Sequence, residues 1–186
     1  IFHVNSEKLQ RRVRKGIPDI VRAKVWTDFS HITEYKQKYP VVLSSPVSSS
    51  SLSLSQTIFE EIERDLDRTF PRHVIFVRRG GEGQDSLRRI LQHYVELDPE
   101  IGYCQGMGFI AAMFLTYMVE DDAFYCLVSI MQRPSLPLRL MFKANFVQAQ
   151  CMLSVFWSLL SDTYPKLYKH LERENLHPSM FATEWF

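Results

Sequence analysis

Ile58, Ile62, Leu66 and Phe70 recur at every fourth position, and Pro71 follows at once. Residues four apart stack on one side of a helix, so this spacing predicts a helix with one apolar face. Proline has no N–H and disfavours a helical residue before it, which predicts an end near Thr69 or Phe70. The same geometry turns Arg68 away from the apolar stripe and sets Asp65 one turn before it, within reach of an ion pair. Arg68 is then a permanently charged, forked donor on an exposed last turn. It could reach an anion on a partner, or be an ordinary surface arginine.

The other segments read the same way. Residues Ser6 to Arg14 suit a short polar helix, broken by Gly16-Ile17-Pro18. Pro18 fits the first turn of the next helix. There Ile20, Val21, Val25 and Phe29 form an apolar stripe that Trp26 widens, with Arg22 one turn before Trp26. Arg22 is expected to pack its stem on Trp26 or donate to a carbonyl. Residues 44–55 are serine-rich and read as a flexible surface loop. Val74 to Val77 could pass for a strand but has no partner, so an extended connection is expected. Asp85 or Ser86 is expected to cap a helix carrying Leu87, Ile90, Leu91 and Tyr94, ended by Asp98-Pro99.

Glu100 to Gly108 holds three glycines in its last seven residues, marking backbone that bends or is closely approached. Gln105 lies in that bend, exposed and pre-positioned at a helix entrance, or simply capping the helix. The run Met107 to Val119 is the most apolar and reads as a buried helix, too short to span a bilayer. Further helices are expected from Asp121 or Asp122 to Met131, from about Asn145 to Asp162, and in two short pieces, Leu167 to Glu174 and Met180 to Phe186. Val147, Cys151, Met152, Val155, Phe156, Leu159 and Leu160 read as core positions of the long one.

Composition narrows the function. A chain of 186 residues with 46% hydrophobic residues supports one domain. A net charge of +1 supplies no basic field for nucleic acid. Cys104, Cys126 and Cys151 are far apart and odd in number, which points to a reducing, intracellular compartment. The six histidines have no ligand spacing, so no metal site is expected. Gly106-Met107-Gly108 lacks the Lys-Ser or Lys-Thr of a phosphate loop, which speaks against nucleotide binding by the chain itself.

Three patterns occur in order: Gly16-Ile17-Pro18 with Arg22-x-x-x-Trp26; Ile62-x-x-Asp65-x-x-Arg68 with Thr69-Phe70-Pro71-x-His73; and Tyr103-x-Gln105 within Gly102-Tyr103-Cys104-Gln105-Gly106-Met107. Together they resemble the TBC domain (Tre-2/Bub/Cdc-type), the GTPase-activating proteins of Rab GTPases. The resemblance runs from about Arg14 to Phe186. It implies an all-α, multi-helix fold with an N-terminal lobe and part of a C-terminal lobe, as one domain over residues 1–186. Members usually continue past Trp185-Phe186 with helices that complete the second lobe.

The resemblance also implies a function: acceleration of GTP hydrolysis by a GTP-bound Rab through two fingers supplied in trans. Arg68 matches the catalytic arginine and Gln105 the catalytic glutamine. Asp65 and Tyr103 would orient them, and Arg22, Trp26, Ile62 and Gly106 would support the site. No cofactor of its own is implied, since the GTP and magnesium belong to the partner. The expected setting is cytoplasmic, with only indirect association with endomembranes through flanking regions or the partner. A non-catalytic Rab-binding scaffold of the same fold is the alternative. Many members carry asparagine at the position of Gly108, where only a local effect is expected.

Overall fold

The computed structural model describes residues 7–45, 52–134, 138–143 and 146–182. These residues form helices and turns and contain no strand. In chain order the helices are α1 (Glu7–Arg14), α2 (Asp19–Ser30), α3 (Ile32–Lys38), α4 (Leu52–Leu66), α5 (Glu82–Leu97), α6 (Met107–Leu115), α7 (Glu120–Gln132), α8 (Leu138–Met141), α9 (Val147–Thr163) and α10 (Pro165–Arg173). The 3-10 turn Pro178–Met180 follows. The chain divides into two compact units, Ile1–Leu136 and Pro137–Phe186.

In the first unit α7 is the core helix. Ala123, Phe124, Cys126, Leu127, Val128 and Ser129 have no exposed surface, so it is buried on every side. It packs against α2, α3, α5 and α6. Its acidic first turn is answered by cations from two directions. Arg89 of α5 donates to Glu120 through Nε at 2.7 Å and Nη2 at 2.5 Å. Lys36 of α3 sits 2.9 Å from Asp122 and also pairs with Asp121. The Tyr125 hydroxyl donates to the Tyr39 carbonyl at 2.8 Å and accepts from the Val41 amide at 3.1 Å, tying down the chain after α3.

Helix α5 supplies the second layer. Leu87, Ile90, Leu91 and Tyr94 are buried as their spacing requires. They lie between α4, α6 and α7. The helix begins at Glu82, with Gly81 at its N-cap, and not at Asp85 or Ser86. Glu82 and Asp85 therefore fall inside the first turn, where the helix dipole favours acids. Asp98 ends it, as expected.

Four other readings change. The segment Val74 to Val77 is not extended. The amides of Phe76 and Val77 both bond the His73 carbonyl, which folds the segment into turns. Phe76 is buried while Val74 and Val77 stay exposed. In α2, Ile20 is 94% exposed and Val21 is exposed, so the predicted stripe is not a buried one. In α6 only Met107, Gly108, Ala111 and Ala112 are buried. Phe109 and Met113 face outward, so the most apolar run is half-covered. Helix α4 already runs at residues 52–55, inside the span read as a loop, while residues 46–51 of that span lie outside the described residues.

The second unit packs α9 against α8, α10 and the 3-10 turn. Leu153 is buried there, Trp157 lies 4.8 Å from Tyr168, and Phe156 lies 6.2 Å from Phe181. The opposite side of α9 carries Val147, Cys151, Val155 and Leu159, all exposed. Their helical spacing predicts core positions, and the structure leaves them outside the core. A helix of this composition offers two apolar faces, and the neighbours in this unit cover one of them. The expected helix Met180 to Phe186 is replaced over its described part by the end of the 3-10 turn, and residues 183–186 lie outside the described residues. No described helix is long and apolar enough to cross a membrane.

Candidate functional site

Helix α4 ends at Leu66, earlier than the proline alone predicts. The chain turns over Asp67 to Phe70, with the Arg68 amide bonded to Asp65 O and the Thr69 amide to Leu66 O, both at 3.2 Å. The Thr69 hydroxyl donates to the same Asp65 carbonyl at 2.8 Å. Arg68 thus projects from a turn just beyond the helix, half-exposed. Phe70 completes the reversal with φ of 45°, the left-handed region that a bulky side chain rarely adopts. A conformation of this kind typically costs about 1–3 kcal/mol and survives only where neighbours hold it.

Gln105 comes from the turn before α6. Gly102 (φ 63°) and Gly106 (φ 104°) bend the chain on either side of Tyr103-Cys104-Gln105, in backbone conformations that favour glycine. Gly106 also occupies the N-cap of α6. The Gln105 side chain does not serve as the helix cap. It is exposed, and among the described residues its amide holds no hydrogen bond. A free amide carries both a donor and an acceptor for a ligand.

Asp65 joins the two segments. It is 8% exposed. Its Oδ1 lies 2.5 Å from Arg68 Nη2, and its Oδ2 accepts from the Tyr103 hydroxyl at 2.7 Å. One carboxylate therefore orients the guanidinium and ties down the loop that presents Gln105. Burial, and then the bond to Asp65, pushes the Tyr103 hydroxyl well above the ordinary tyrosine range, so it remains a donor. Burial also raises the Cys104 thiol, with Glu61 adding to it, so this cysteine stays protonated.

These side chains line one open cleft of about 430 Å³: Glu61, Arg64, Asp65, Arg68, Tyr103 and Gln105. The four expected to act together are therefore brought together. Ile62 lies beneath them, fully buried. Glu61 and Arg64 line the cleft too, although neither belongs to the residues that the sequence patterns single out for the site. Their signal was present, since positions 61, 64, 65 and 68 repeat at helical spacing opposite the Ile58 stripe. Arg22 and Trp26 lie elsewhere. Trp26 meets Phe114 and Tyr117 edge-on, at 5.7 and 5.0 Å between centroids, towards the far end of α6 from Gln105. Arg22 stacks over Tyr117, pairs with Asp19 and donates to Ile17 O at 2.8 Å. That is the packing and carbonyl contact expected of it.

Comparison with known proteins agrees with this architecture. Residues 19–186 match the profile described as the Rab-GTPase-TBC domain. The chain belongs to that family. Among similar proteins, it is 35% identical over 180 residues to human TBC1 domain family member 10B and 36% identical over 187 residues to the Rab GTPase-activating protein tbc-11 of Caenorhabditis elegans. Each alignment covers 97% of this chain but only 22% and 19% of those proteins. The fold resembles the crystal structure of the Chlamydomonas flagellar RabGAP TBC domain, with a TM-score of 0.73 at 24% identity. That match covers all of this chain and 60% of the other. The Ypt/Rab-GAP domain of Gyp1p aligns with a TM-score of 0.68 at 21% identity, over 91% of this chain and 63% of that one.

Proposed function

We propose that the chain accelerates GTP hydrolysis by a Rab-family GTPase, inserting Arg68 and Gln105 beside the nucleotide held by that partner. The observation that carries this reading is the convergence of both side chains on one cleft, linked through Asp65. The chemistry accounts for each type. Negative charge builds on the oxygens of the transferred phosphoryl group, and a guanidinium placed there stabilises it. An arginine finger of this kind is worth about 10³- to 10⁵-fold in rate, or roughly 4–7 kcal/mol of barrier. The attacking water must also be aligned. The amide of Gln105 can accept from that water while donating to a phosphate oxygen.

In this reading Asp65 and Tyr103 hold the fingers, and Arg22 and Trp26 secure α2 against α6. The GTP and its magnesium are the partner's, and the partner is engaged in its GTP-bound state. Membrane association is indirect, through the partner or flanking regions, in a cytoplasmic setting. Single-turnover hydrolysis across a panel of GTP-loaded Rab proteins tests the proposal. Arg68→Ala and Gln105→Ala should each abolish the acceleration while leaving binding to the GTP-bound partner measurable. Full activity in Arg68→Ala would overturn the two-finger mechanism. Binding without acceleration by the unaltered chain would identify a scaffold instead.

A further inference from the structure

We propose that Phe70 is a positioning residue that sets the spacing of the two fingers, bracing the Arg68 turn against the helix that follows Gln105. The inference rests on the two-finger reading above and adds a residue to it. Phe70 lies two residues after Arg68, and its ring meets Phe109 edge-on at 5.4 Å between centroids. Phe109 lies four residues after Gln105, on the outward face of α6. Behind Phe70 stands Phe76, 6.4 Å away and buried in its own turn. Phe70 is thus held on both sides in a left-handed backbone conformation that an isolated phenylalanine would leave.

The hydrogen bond from Tyr103 to Asp65 ties the same two segments at one point, just before each finger. Two segments joined at a single point can still hinge about it. The Phe70–Phe109 contact is a second tie, just after each finger. Between the two ties, side chains of both segments close in on the first turn of α6. A side-chain carbon placed on Gly108 would stand 3.2 Å from the Thr69 hydroxyl and 3.6 Å from that of Tyr103. The aromatic pair is not deep core. Phe109 is 40% exposed and Phe70 is half-buried, so their contact contributes less to folding than a buried pair would.

The test uses the whole chain and the GTPase it accelerates most. Phe70→Ala and Phe109→Ala should each lower the saturating single-turnover rate by about 10- to 100-fold, the range expected for misplacing a catalytic group by about an ångström. Affinity for the same GTPase loaded with a non-hydrolysable GTP analogue should stay within about twofold of the parent, since misplacement acts on the chemical step and not on uniform binding. The double variant should be no slower than the worse single one, because both remove one tie. Phe109→Tyr, which keeps the ring, should restore the rate. Loss of affinity at an unchanged rate, or additive losses in the double variant, would overturn the proposal by making these rings separate docking contacts.

A second arm needs no GTPase. In nitrogen-15 correlation spectra of the free chain, the Arg68 Nε–H and Gln105 side-chain amide signals should both move in Phe109→Ala. If neither moves, the proposal fails, even where the rate has fallen. If the unaltered chain accelerates no GTPase, the two-finger reading fails on its own, and these spectra still decide the spacing. If Phe70→Ala loses its helical circular dichroism, Phe109→Ala carries the test, since its ring is partly exposed.

Discussion

Asp65 holds more of the cleft together than either Arg68 or Gln105 does. It is buried, and its two oxygens face a guanidinium and a phenol. Replacing Asp65 by asparagine keeps the shape, removes the charge that pins Arg68, and leaves the guanidinium free to rotate. On the proposed function, the expected result is a fall of about 10- to 100-fold in stimulated hydrolysis, as for a catalytic group held loosely. Single-turnover kinetics read it directly. Tyr103→Phe removes a hydrogen bond to a buried carboxylate and should cost about 1.5–3 kcal/mol of stability, read by urea denaturation. Ionisation of Tyr103 should not intrude. Its folded pKa is raised, so its contribution is fully present below the unfolded value near 10 and is lost only above that. Stimulated hydrolysis up to about pH 9 should show no step from this group.

At the scale of elements, α5 and α7 decide where Gln105 stands relative to Arg68, because α6 rests on both. Ile90 has no exposed surface, and Ile90→Ala should destabilise the chain by about 2–5 kcal/mol. Val74→Ala, at a site 81% exposed, should change stability by less than about 0.5 kcal/mol. The fork from Arg89 to Glu120 adds an acid-sensitive link. Burial alone would raise the Glu120 carboxyl, but Arg89 and Ser86 together bring it below the ordinary range. Its stabilisation is therefore present above the unfolded value near 4.3 and is lost as pH falls through the lower folded one. Glu120→Gln should remove that part of the acid dependence, as thermal melts at pH 7 and at about pH 2–3, well below the unfolded value near 4.3, would show.

At the scale of the molecule, the two units differ in how far their apolar surface is covered. The first buries α7 on every side, whereas the second leaves Val147, Val155 and Leu159 of α9 in the open. Lysine at Val155 and Leu159 should leave stability within about 0.5 kcal/mol per site. It should also reduce any self-association driven by this patch, as light scattering would report. The chain spans about a fifth of the full length of tbc-11 and of human TBC1 domain family member 10B.

Local rules were enough for much of this. Helical spacing specified the bodies of α4 and α5, though not the end of the one or the start of the other, and the i, i+3 relation of Asp65 to Arg68 foretold their pairing. Those effects act over one or two turns, so they are legible in order along the chain. Which apolar face finds a cover is a different matter. The acidic-headed α7 became the core, while the more apolar α6 and α9 kept one side in water, because burial depends on which helices lie alongside. The same holds for the site: Arg68 and Gln105 meet only because α4, α5 and α6 pack together, with Asp65 spanning the join.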